Sequence, residues 1–346
     1  MLAEPAGSLV AFLSESASGL FCERGGFHID PWQPVERALI THAHGDHARP
    51  GSAAYLCADE SRGLLRRRLG ADTSIEGVAY GTPLLIGDVR VSFHPAGHVL
   101  GSAQIRLESS DGVWVVGGDY KRAPDPTCAP FEPVPCDTFI TESTFGLPVY
   151  RWDDTSLVID DIAAWWRGNA ESRRTSLLFC YTLGKAQRLL AELMRVTDRP
   201  VYVHGMLLGM IDAYRDAGIA MLPVLPVIER ARGGRSAAAS FAGELVLAPL
   251  SARGTPWVRR LGDLSDAFAS GLMRVRGVRR QRAFDRGFVL SDHADWPALL
   301  QSVADTGATH VFATHGHAEP LARYLAGQGL QAGVMRTAWE GEPSGD

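Results

Sequence analysis

Lysine is almost absent from this sequence: only Lys121 and Lys185 are lysines among its 34 basic residues, and the rest are arginines. No apolar run approaches the roughly 20 residues of a membrane-spanning helix, which excludes a helical membrane protein. The five cysteines are scattered and none forms a CxxC pair, so neither a disulfide framework nor a thiolate zinc site is expected. The first residues lack the basic stretch of a secretion signal. Together these absences predict a cytoplasmic protein that does not engage a membrane.

The net charge of −5 argues against a uniformly basic, nucleic-acid-coating protein. Any binding of a polyanion would depend on local clusters of arginine, which grips phosphate with two parallel hydrogen bonds. The chain has 346 residues, of which 46% are hydrophobic. This is enough for one large domain or two moderate ones, each with a substantial core.

The predicted secondary structure differs between the earlier and the later part of the chain. Residues 1–150 contain short strands separated by Gly, Pro and Asp turns, including a hairpin around Ser110-Asp111-Gly112, and helices are predicted near 59–69 and 154–170. From residue 172 strands and helices alternate, which is typical of a parallel sheet covered by helices. The pattern predicts an α/β protein with a second domain in its later part, and a loop over 230–243.

The most specific motif is THAHGDHARPG, residues 41–51, which follows the apolar strand ERALI. It places His42, His44, Asp46 and His47 in a His-x-His-x-Asp-His pattern at the end of a strand. Imidazole and carboxylate groups are the ligands expected for zinc or manganese. Four ligands within six residues do not reach one ion comfortably, so the spacing predicts two adjacent divalent ions.

Three more ligand candidates lie at strand ends: His98 in PAGHVLGS, Asp119 after VWVVGG and His315 after HVFAT. Each alone is more often a structural residue, but their common placement favours ligation. The predicted allocation is His42, His44 and His98 on one ion, Asp46, His47 and His315 on the other, and Asp119 as a bridge. Ions about 3.5–4 Å apart lower the pKa of bound water and neutralise phosphodiester charge. Asp30, after an early strand, is predicted to orient a ligand imidazole.

This ordered set of residues resembles the metallo-β-lactamase superfamily, and within it the β-CASP branch of nucleases. Glu142 in TFITES matches the branch's acidic motif, His293 in LSDHAD matches a later His motif, and residues 181–190 are similar to the start of its cap. The resemblance covers nearly the whole chain. It implies an αββα metallo-β-lactamase sandwich, residues 1–171 and 286–346, with an inserted α/β β-CASP cap domain, residues 172–285, and nucleic acid between them.

The same resemblance implies catalytic roles for Asp46, Asp119, Glu142 and His293. His293 would contact the scissile phosphate or protonate the leaving oxygen. Glu142 would orient His293 or a metal ligand, although a purely structural carboxylate is an equal alternative.

Within the branch, the sequence looks most like bacterial exonucleases associated with ATP-dependent DNA ligases, and residues 248–260 carry that closer likeness. It implies a DNA-repair exonuclease that acts on single strands or strand ends, in functional association with a DNA ligase and a helicase. The presence of His315 is instead typical of ribonuclease J and the pre-mRNA cleavage nucleases. An RNA-processing nuclease is therefore the alternative.

Candidate nucleic-acid contacts come from two segments. Gly184-Lys185 follows a strand and opens a helix, where Lys185 and then Arg188 are predicted to hold a phosphate. The run RVRGVRRQRAFDRG, residues 274–287, precedes the His293 motif and offers Arg279, Arg280 and Arg282 for backbone contacts. A solvated basic face is the competing interpretation of this run.

Two other functions fit less well. Non-catalytic scaffold subunits of the β-CASP type usually have eroded ligands, whereas this sequence retains the full set. Small-molecule hydrolases on the same core lack the cap and the distal His motifs, and fold alone does not decide function.

Overall fold

The computed structural model describes residues 12–227 and 241–336. Most of the loop predicted over 230–243 lies outside these residues. The strands are β1 Ser14–Ser16, β2 Gly19–Cys22, β3 Phe27–Ile29, β4 Arg37–Ile40, β5 Ala54–Ala58, β6 Ile75–Val78, β7 Leu84–Ile86, β8 Val89–Pro95, β9 Ala103–Ser109, β10 Gly112–Val116, β11 Thr138–Glu142, β12 Thr175–Phe179, β13 Val201–Val203, β14 Val224–Pro226, β15 Leu245–Ala248, β16 Leu264–Ala269, β17 Arg286–Phe288, β18 His310–Thr314 and β19 Gln331–Val334. The α-helices are α1 Arg62–Leu69, α2 Thr155–Glu171, α3 Lys185–Glu192, α4 Gly205–Asp216, α5 Pro256–Arg259, α6 Arg276–Arg282, α7 Trp296–Thr306 and α8 Ala318–Gly327.

Two sheets pack face to face. The first has the order β1-β2-β3-β4-β5-β6, and the second has the order β19-β18-β11-β10-β9-β8-β7. The predicted hairpin is confirmed, because Ser109 pairs with Gly112 where β9 turns into β10. The core between the sheets contains Leu20, Phe27, Leu39 and Leu56 from the first sheet and Val91, Ile105, Trp114 and Ile140 from the second. Burial of such side chains contributes about 1.5–3 kcal/mol each.

Helices cover the outer faces of both sheets. On the first sheet, Leu64 and Leu65 of α1 pack with Ile40 of β4. On the second, Trp296 of α7 and Leu321 of α8 pack in one cluster with residues of β11 and β18. The described part of the chain thus has helix, sheet, sheet and helix as successive layers, and the prediction of an α/β protein is confirmed.

A third, fully parallel sheet has the order β14-β13-β15-β12-β16-β17. Apolar side chains of α2, α3 and α4 cover one of its faces, and a second cluster that includes Phe241, Leu261 and Met273 covers the other. Helix α2 packs on this sheet although it precedes residue 172, and β17 belongs to it although it follows residue 285. The unit built on the third sheet therefore includes residues that lie outside the predicted limits of the cap, 172–285.

Helix α4 joins the third-sheet unit to the sandwich. The hydroxyl of Tyr214, which is fully buried, accepts a hydrogen bond from the Leu100 backbone N–H at 3.1 Å. Close by, the guanidinium of Arg67 on α1 lies 2.9 Å from the carboxylate of Asp216. These contacts join α4 to α1 and to the loop between β8 and β9 that carries His98.

Candidate metal centre

Strand ends from both sheets of the sandwich converge on one point. Strands β10, β11 and β18 are parallel neighbours, so their C-terminal ends lie at the same edge and carry Asp119, Glu142 and His315. Strand β4 leads from the opposite sheet into the loop that begins at Thr41. Gly118 has φ = 54°, and a Cβ there would lie 2.7 Å from the Thr41 Cβ, so only glycine lets the Asp119 loop approach this closely.

The first predicted ligand group is assembled in the structure. The ligand atoms of His42, His44, His98 and Asp119 all lie within 4.8 Å of one another. His44 Nδ1 lies 3.1 Å from both His42 Nε2 and His98 Nε2, and Asp119 Oδ2 lies 3.5 Å from His42 Nε2. Three imidazole nitrogens and a carboxylate oxygen at such spacing fit bonds of about 2.0–2.2 Å to one central zinc-like ion.

The electrostatics of this group favour the metal-binding protonation state of three side chains, His42, His98 and Asp119. Burial, with the nearby His47, holds the pKa of His42 well below its ordinary value. Burial and His293 do the same for the pKa of His98. Burial tends to raise the pKa of Asp119, but the surrounding histidines outweigh it and the pKa lies well below its usual range. Neutral imidazoles beside an ionised carboxylate are what a divalent cation requires.

Backbone carbonyls set the orientation of two imidazole rings. His98 Nδ1 donates to the Asp292 carbonyl at 2.7 Å, and His44 Nε2 donates to the Leu183 carbonyl at 3.2 Å. A carbonyl only accepts, so the opposite ring nitrogens, His98 Nε2 and His44 Nδ1, carry the lone pairs. These are the two nitrogens that point into the ligand group.

The second predicted group adjoins the first. His47 Nε2 lies 3.5 Å from Asp119 Oδ2 and 3.8 Å from Asp46 Oδ2, and the His47 and His315 ring centres are 5.2 Å apart. Asp46 Oδ1, His47 Nε2 and His315 Nδ1 are buried without a hydrogen-bond partner among the described residues. Since buried polar atoms are nearly always satisfied, three such neighbouring atoms fit a site for a cation.

Asp30, which follows β3, lies against this second group. One of its carboxylate oxygens lies 2.7 Å from His47 Nδ1, and it also accepts hydrogen bonds from the Thr41 N–H and hydroxyl. Burial lowers the pKa of His47, but Asp119, Asp46 and Asp30 outweigh burial and hold it well above the ordinary value. Without a bound cation, His47 is therefore protonated and neutralises part of the carboxylate charge.

Glu142 and His293 form a buried pair at the edge of the first group. His293 Nδ1 lies 3.0 and 3.1 Å from the two Glu142 oxygens and 4.0 Å from Asp119 Oδ2. Glu142 is fully buried and also accepts from the Tyr120 backbone N–H at 2.8 Å. The ring orientation of His293 is thus fixed by a carboxylate that is itself anchored.

The structure does not support the predicted phosphate contacts of Lys185 and Arg188. Both side chains are buried, at 1% and 2% exposure. Lys185 Nζ lies 2.9 Å from Asp292 Oδ2, and Arg188 pairs with Asp292 at 3.1 Å and with Asp125 at 3.5 Å. Their charges are neutralised inside the protein, which corrects the prediction that these two residues seat a phosphate.

The arginines of the second predicted segment lie on α6. Arg280 is exposed and Arg282 is half-buried, with its guanidinium 5.4 Å from the centre of the Phe268 ring. The side chain of Arg279 lies outside the described part of the structure. Of the same run, Arg274 and Arg286 pair at the surface with Asp153 and Asp161. Nucleic-acid contact by Arg279, Arg280 and Arg282 stays a prediction.

Sequence reasoning missed the functional neighbourhood of Asp292, the residue before His293. Asp295 is the residue that caps α7, by accepting from the Ala298 N–H. Asp292 instead orients His98 through its carbonyl and pairs with Lys185 through its carboxylate. One signal was present: the only two lysines of the chain, Lys121 and Lys185, are both buried in this neighbourhood.

Comparison with curated proteins gives two kinds of relative, while no family model matches the chain. A protein named "probable DNA ligase" from Opitutus terrae is 32% identical over 320 residues, which cover 91% of this chain and 30% of that protein. Proteins named endoribonuclease YSH1 from Gibberella zeae and Neurospora crassa are 32% and 31% identical over 121 residues, 34% of this chain and 14% of each relative. The chain thus spans less than a third of each of these relatives.

Among solved structures, a protein of unknown function from Enterococcus faecalis V583 superimposes with a TM-score of 0.57 at 12% identity. The match covers 88% of this chain and 80% of that one, which shows a shared fold. Within the described residues, no helix has both the length and the apolar character needed to cross a bilayer.

Proposed function

We propose that this chain is a metal-dependent phosphodiesterase that hydrolyses DNA, most effectively as an exonuclease. The observation that carries the proposal is the meeting of His42, His44, His98 and Asp119 within 4.8 Å. Beside them lie buried atoms of the second predicted group that have no hydrogen-bond partner among the described residues. Such a cluster of imidazoles and carboxylates, built on strand ends, is suited to hold divalent cations.

The fold proposal is a metallo-β-lactamase sandwich that carries a β-CASP cap. The helix–sheet–sheet–helix layers support the first part. The separate parallel sheet, docked through α4 beside the ligand groups, supports the second. The proposed division remains residues 1–171 and 286–346 for the core and 172–285 for the cap, with α2 and β17 crossing these limits to join the cap's sheet.

The proposed cofactor is a pair of zinc or manganese ions. His42, His44 and His98 would hold one, Asp46, His47 and His315 would hold the other, and Asp119 would bridge them. Asp119 Oδ2 supports the bridging role because it lies 3.5 Å from both His42 Nε2 and His47 Nε2, one member of each group. When bound, the ions supply a water of lowered pKa and neutralise charge on the phosphodiester.

His293, oriented by Glu142, would supply the proton that the leaving group requires. With Nδ1 hydrogen-bonded to the Glu142 carboxylate, His293 would act through Nε2, either on a phosphate oxygen or on the departing oxygen. Glu142 keeps the imidazole in one orientation and stabilises its protonated form. In other acid–base dyads, too, a buried carboxylate orients the histidine that transfers the proton.

DNA is proposed as the substrate because nearly the whole chain matches one segment of a protein named "probable DNA ligase". More than two thirds of that relative lies outside the match, which supports a nuclease that works together with a DNA ligase. We also retain the predicted functional association with a helicase as part of this proposal.

RNA is the second candidate substrate, and a specific observation favours it. The YSH1 relatives are named endoribonucleases, and their similarity covers 121 residues of this chain.

The two candidates separate in one experiment. Purified protein, first stripped of metal with a chelator, is incubated with single-stranded DNA and RNA of the same sequence, each labelled at either end. Mn²⁺ or Zn²⁺ is then added. A circular single-stranded DNA serves as the matched substrate without ends.

Release of mononucleotides from linear DNA, with the circle left intact, is the expected result. Internal cuts in RNA alone would establish the second candidate instead. Absence of cleavage of either polymer by protein that has bound two equivalents of metal would reject both.

A further inference from the structure

Two ligand histidines of the first group depend on backbone carbonyls from outside the sandwich's own strands. His44 donates to the carbonyl of Leu183, which lies between β12 and α3. His98 donates to the carbonyl of Asp292, which lies between β17 and α7. If either segment moved, the corresponding ring would lose the partner that selects its tautomer.

Helix α3 holds these two segments together. Lys185, two residues after Leu183, donates from Nζ to the Leu290 carbonyl at 2.8 Å and pairs with Asp292 at 2.9 Å. Arg188, one turn later, donates to the Ser291 carbonyl at 2.6 Å and to Asp292 Oδ1 at 3.1 Å. Each cation thus contacts both the backbone of residues 290–291 and the carboxylate that follows.

We infer that Lys185, Arg188 and Asp292 form a clamp that positions His44 and His98 as metal ligands. The clamp acts by fixing the separation of the two carbonyl-bearing segments. Its members are positioning residues, since they reach the ligand nitrogens only through the backbone. The inference rests on the proposed function in one respect: it takes His44 and His98 to be ligands.

The packing around the clamp leaves no room for adjustment. Gly184 has φ = 88°, and a Cβ there would lie 2.6 Å from Val99 Cγ1 and 3.5 Å from Asp292 Oδ2. The chain between Leu183 and Lys185 therefore lies directly against the loop that carries His98. A displacement of α3 would reach both ligand rings, because Leu183 bonds to His44 and the Gly184 backbone packs against Val99, the residue after His98.

Burial makes the clamp rigid. Lys185, Arg188 and Asp292 are 1%, 2% and 5% exposed, so each charge is desolvated and must keep its partners. Arg188 has a further anchor, since it donates to the Thr155 hydroxyl at 2.8 Å. Partners of this kind behind a ligand imidazole typically change metal affinity by about 10–100-fold when they are removed.

The test uses the full-length protein and Co²⁺, whose visible absorption reports ligand geometry. Asp292→Asn keeps the shape of the side chain but removes its charge, and Arg188→Lys keeps the charge but not the two-pronged contact. Asp160→Asn is the matched control, because Asp160 on α2 forms an exposed ion pair, 2.8 Å long, with Arg195 just after α3 and has no hydrogen bond or ion pair with the described residues 290–292. Titration with Co²⁺ gives affinities, and two-bond ¹H–¹⁵N spectra of the metal-free protein give the histidine tautomers.

We expect Asp292→Asn to bind Co²⁺ about 10–100-fold more weakly, with an altered absorption band. In the metal-free protein, His98 should populate both tautomers. Arg188→Lys should show a smaller change in the same direction, and Asp160→Asn none. If Asp292→Asn does not fold, Arg188→Lys carries the test because its buried charge is retained.

A folded variant with the affinity, absorption and tautomers of the wild type would overturn the clamp. Failure of the proposed function looks different: the wild type would bind metal and leave both polymers intact, or would not bind Co²⁺. In the second case the tautomers of the metal-free protein still decide whether the clamp orients the rings.

Discussion

Two buried polar clusters lie side by side in this protein, and they differ in how their charges are matched. The first is the metal cage, which consists of His42, His44, Asp46, His47, His98, Asp119 and His315. The second is the clamp cluster, which consists of the clamp together with Lys121 and Asp125. In the cage, three buried atoms lack a hydrogen-bond partner among the described residues. The clamp cluster has one such atom, Arg188 Nε, but it belongs to a cation that lies 3.5 Å from Asp125, and every charged side chain of this cluster has an opposite charge within 3.5 Å.

The difference separates a binding site from a structural element. Polar atoms without a partner cost free energy when they are buried, so three of them on neighbouring ligand candidates are suited to a cation. A cluster whose charges are already matched gains nothing from a ligand, and removal of one member leaves another uncompensated. Changes in the cage should therefore affect metal binding and activity directly, whereas changes in the clamp cluster should affect stability first and metal affinity only through the orientation of His44 and His98.

The largest effect is expected for Asp119→Ala, which removes the oxygen shared by both ligand groups. We expect at least about a thousandfold loss of cleavage, because charge stabilisation by the ions is worth several kcal/mol. Metal content, measured by mass spectrometry after dialysis, should fall in parallel. The folded state should be retained, since the variant also relieves carboxylate charge in the cage.

Glu108→Ala near the end of β9 is a suitable control, because that carboxylate is partly exposed and pairs with Arg106, away from the cage. It should keep both metal and activity. Undiminished cleavage by Asp119→Ala would mean that the cage is not the reacting site.

Arg188→Met should give the next largest effect, but on stability. The change leaves Asp125 and Asp292 short of one buried partner, which costs about 3–5 kcal/mol in comparable cases. Chemical denaturation of the metal-free protein, followed by circular dichroism, measures the loss. Arg195→Met, which breaks the exposed pair with Asp160, should cost about 0–1 kcal/mol. Equal losses in the two variants would contradict the distinction between matched burial and surface pairing.

A smaller effect is expected for Asp30→Asn, which acts on the cage through His47. Asparagine can still hydrogen-bond but no longer offers a carboxylate to His47 Nδ1, which lies 2.7 Å from Asp30. We expect metal affinity to fall about 10–100-fold, with a smaller change in stability. Calorimetric titration with Mn²⁺ measures the affinity. If the unfolding free energy falls and the metal affinity does not, Asp30 stabilises the fold without supporting His47 as a ligand.

The contrast between the clusters also explains how far the sequence could be interpreted. The cage residues follow apolar strands within recognisable motifs, so their convergence was predictable from strand ends and ligand chemistry. Lys185 and Arg188 follow a strand in the same way and were interpreted as a phosphate site. Whether a lysine or arginine side chain contacts a bound phosphate or an internal carboxylate depends on which distant segment of the chain packs against it. For Lys185 that segment is 290–292, more than 100 residues away, and no local pattern specifies this pairing.

Domain limits were hard to predict for a related reason. The periodicity of residues 154–170 identifies α2 as an amphipathic helix, but it does not say which sheet receives its apolar face. In the structure Ile159 and Trp166 pack with Leu178 of the third sheet. Layer membership is a tertiary property, whereas the helix itself is a local one.

The pH dependence of the clamp cluster should give the smallest effect and the sharpest test of its matched charges. Burial raises the pKa of Asp125, but Lys121 and Arg188 outweigh burial and hold this pKa below its ordinary value. A carboxyl group whose pKa is depressed by folding stabilises the protein above its unfolded pKa of about 3.9, and this stabilisation is lost as the pH falls toward the folded value. The difference in unfolding free energy between the wild type and Asp125→Asn should therefore be constant from neutral pH to about pH 5 and shrink below about pH 4. Urea titrations of the metal-free proteins across this range measure it, and a difference that does not shrink in acid would show that the ionised form of Asp125 gains nothing from its neighbours.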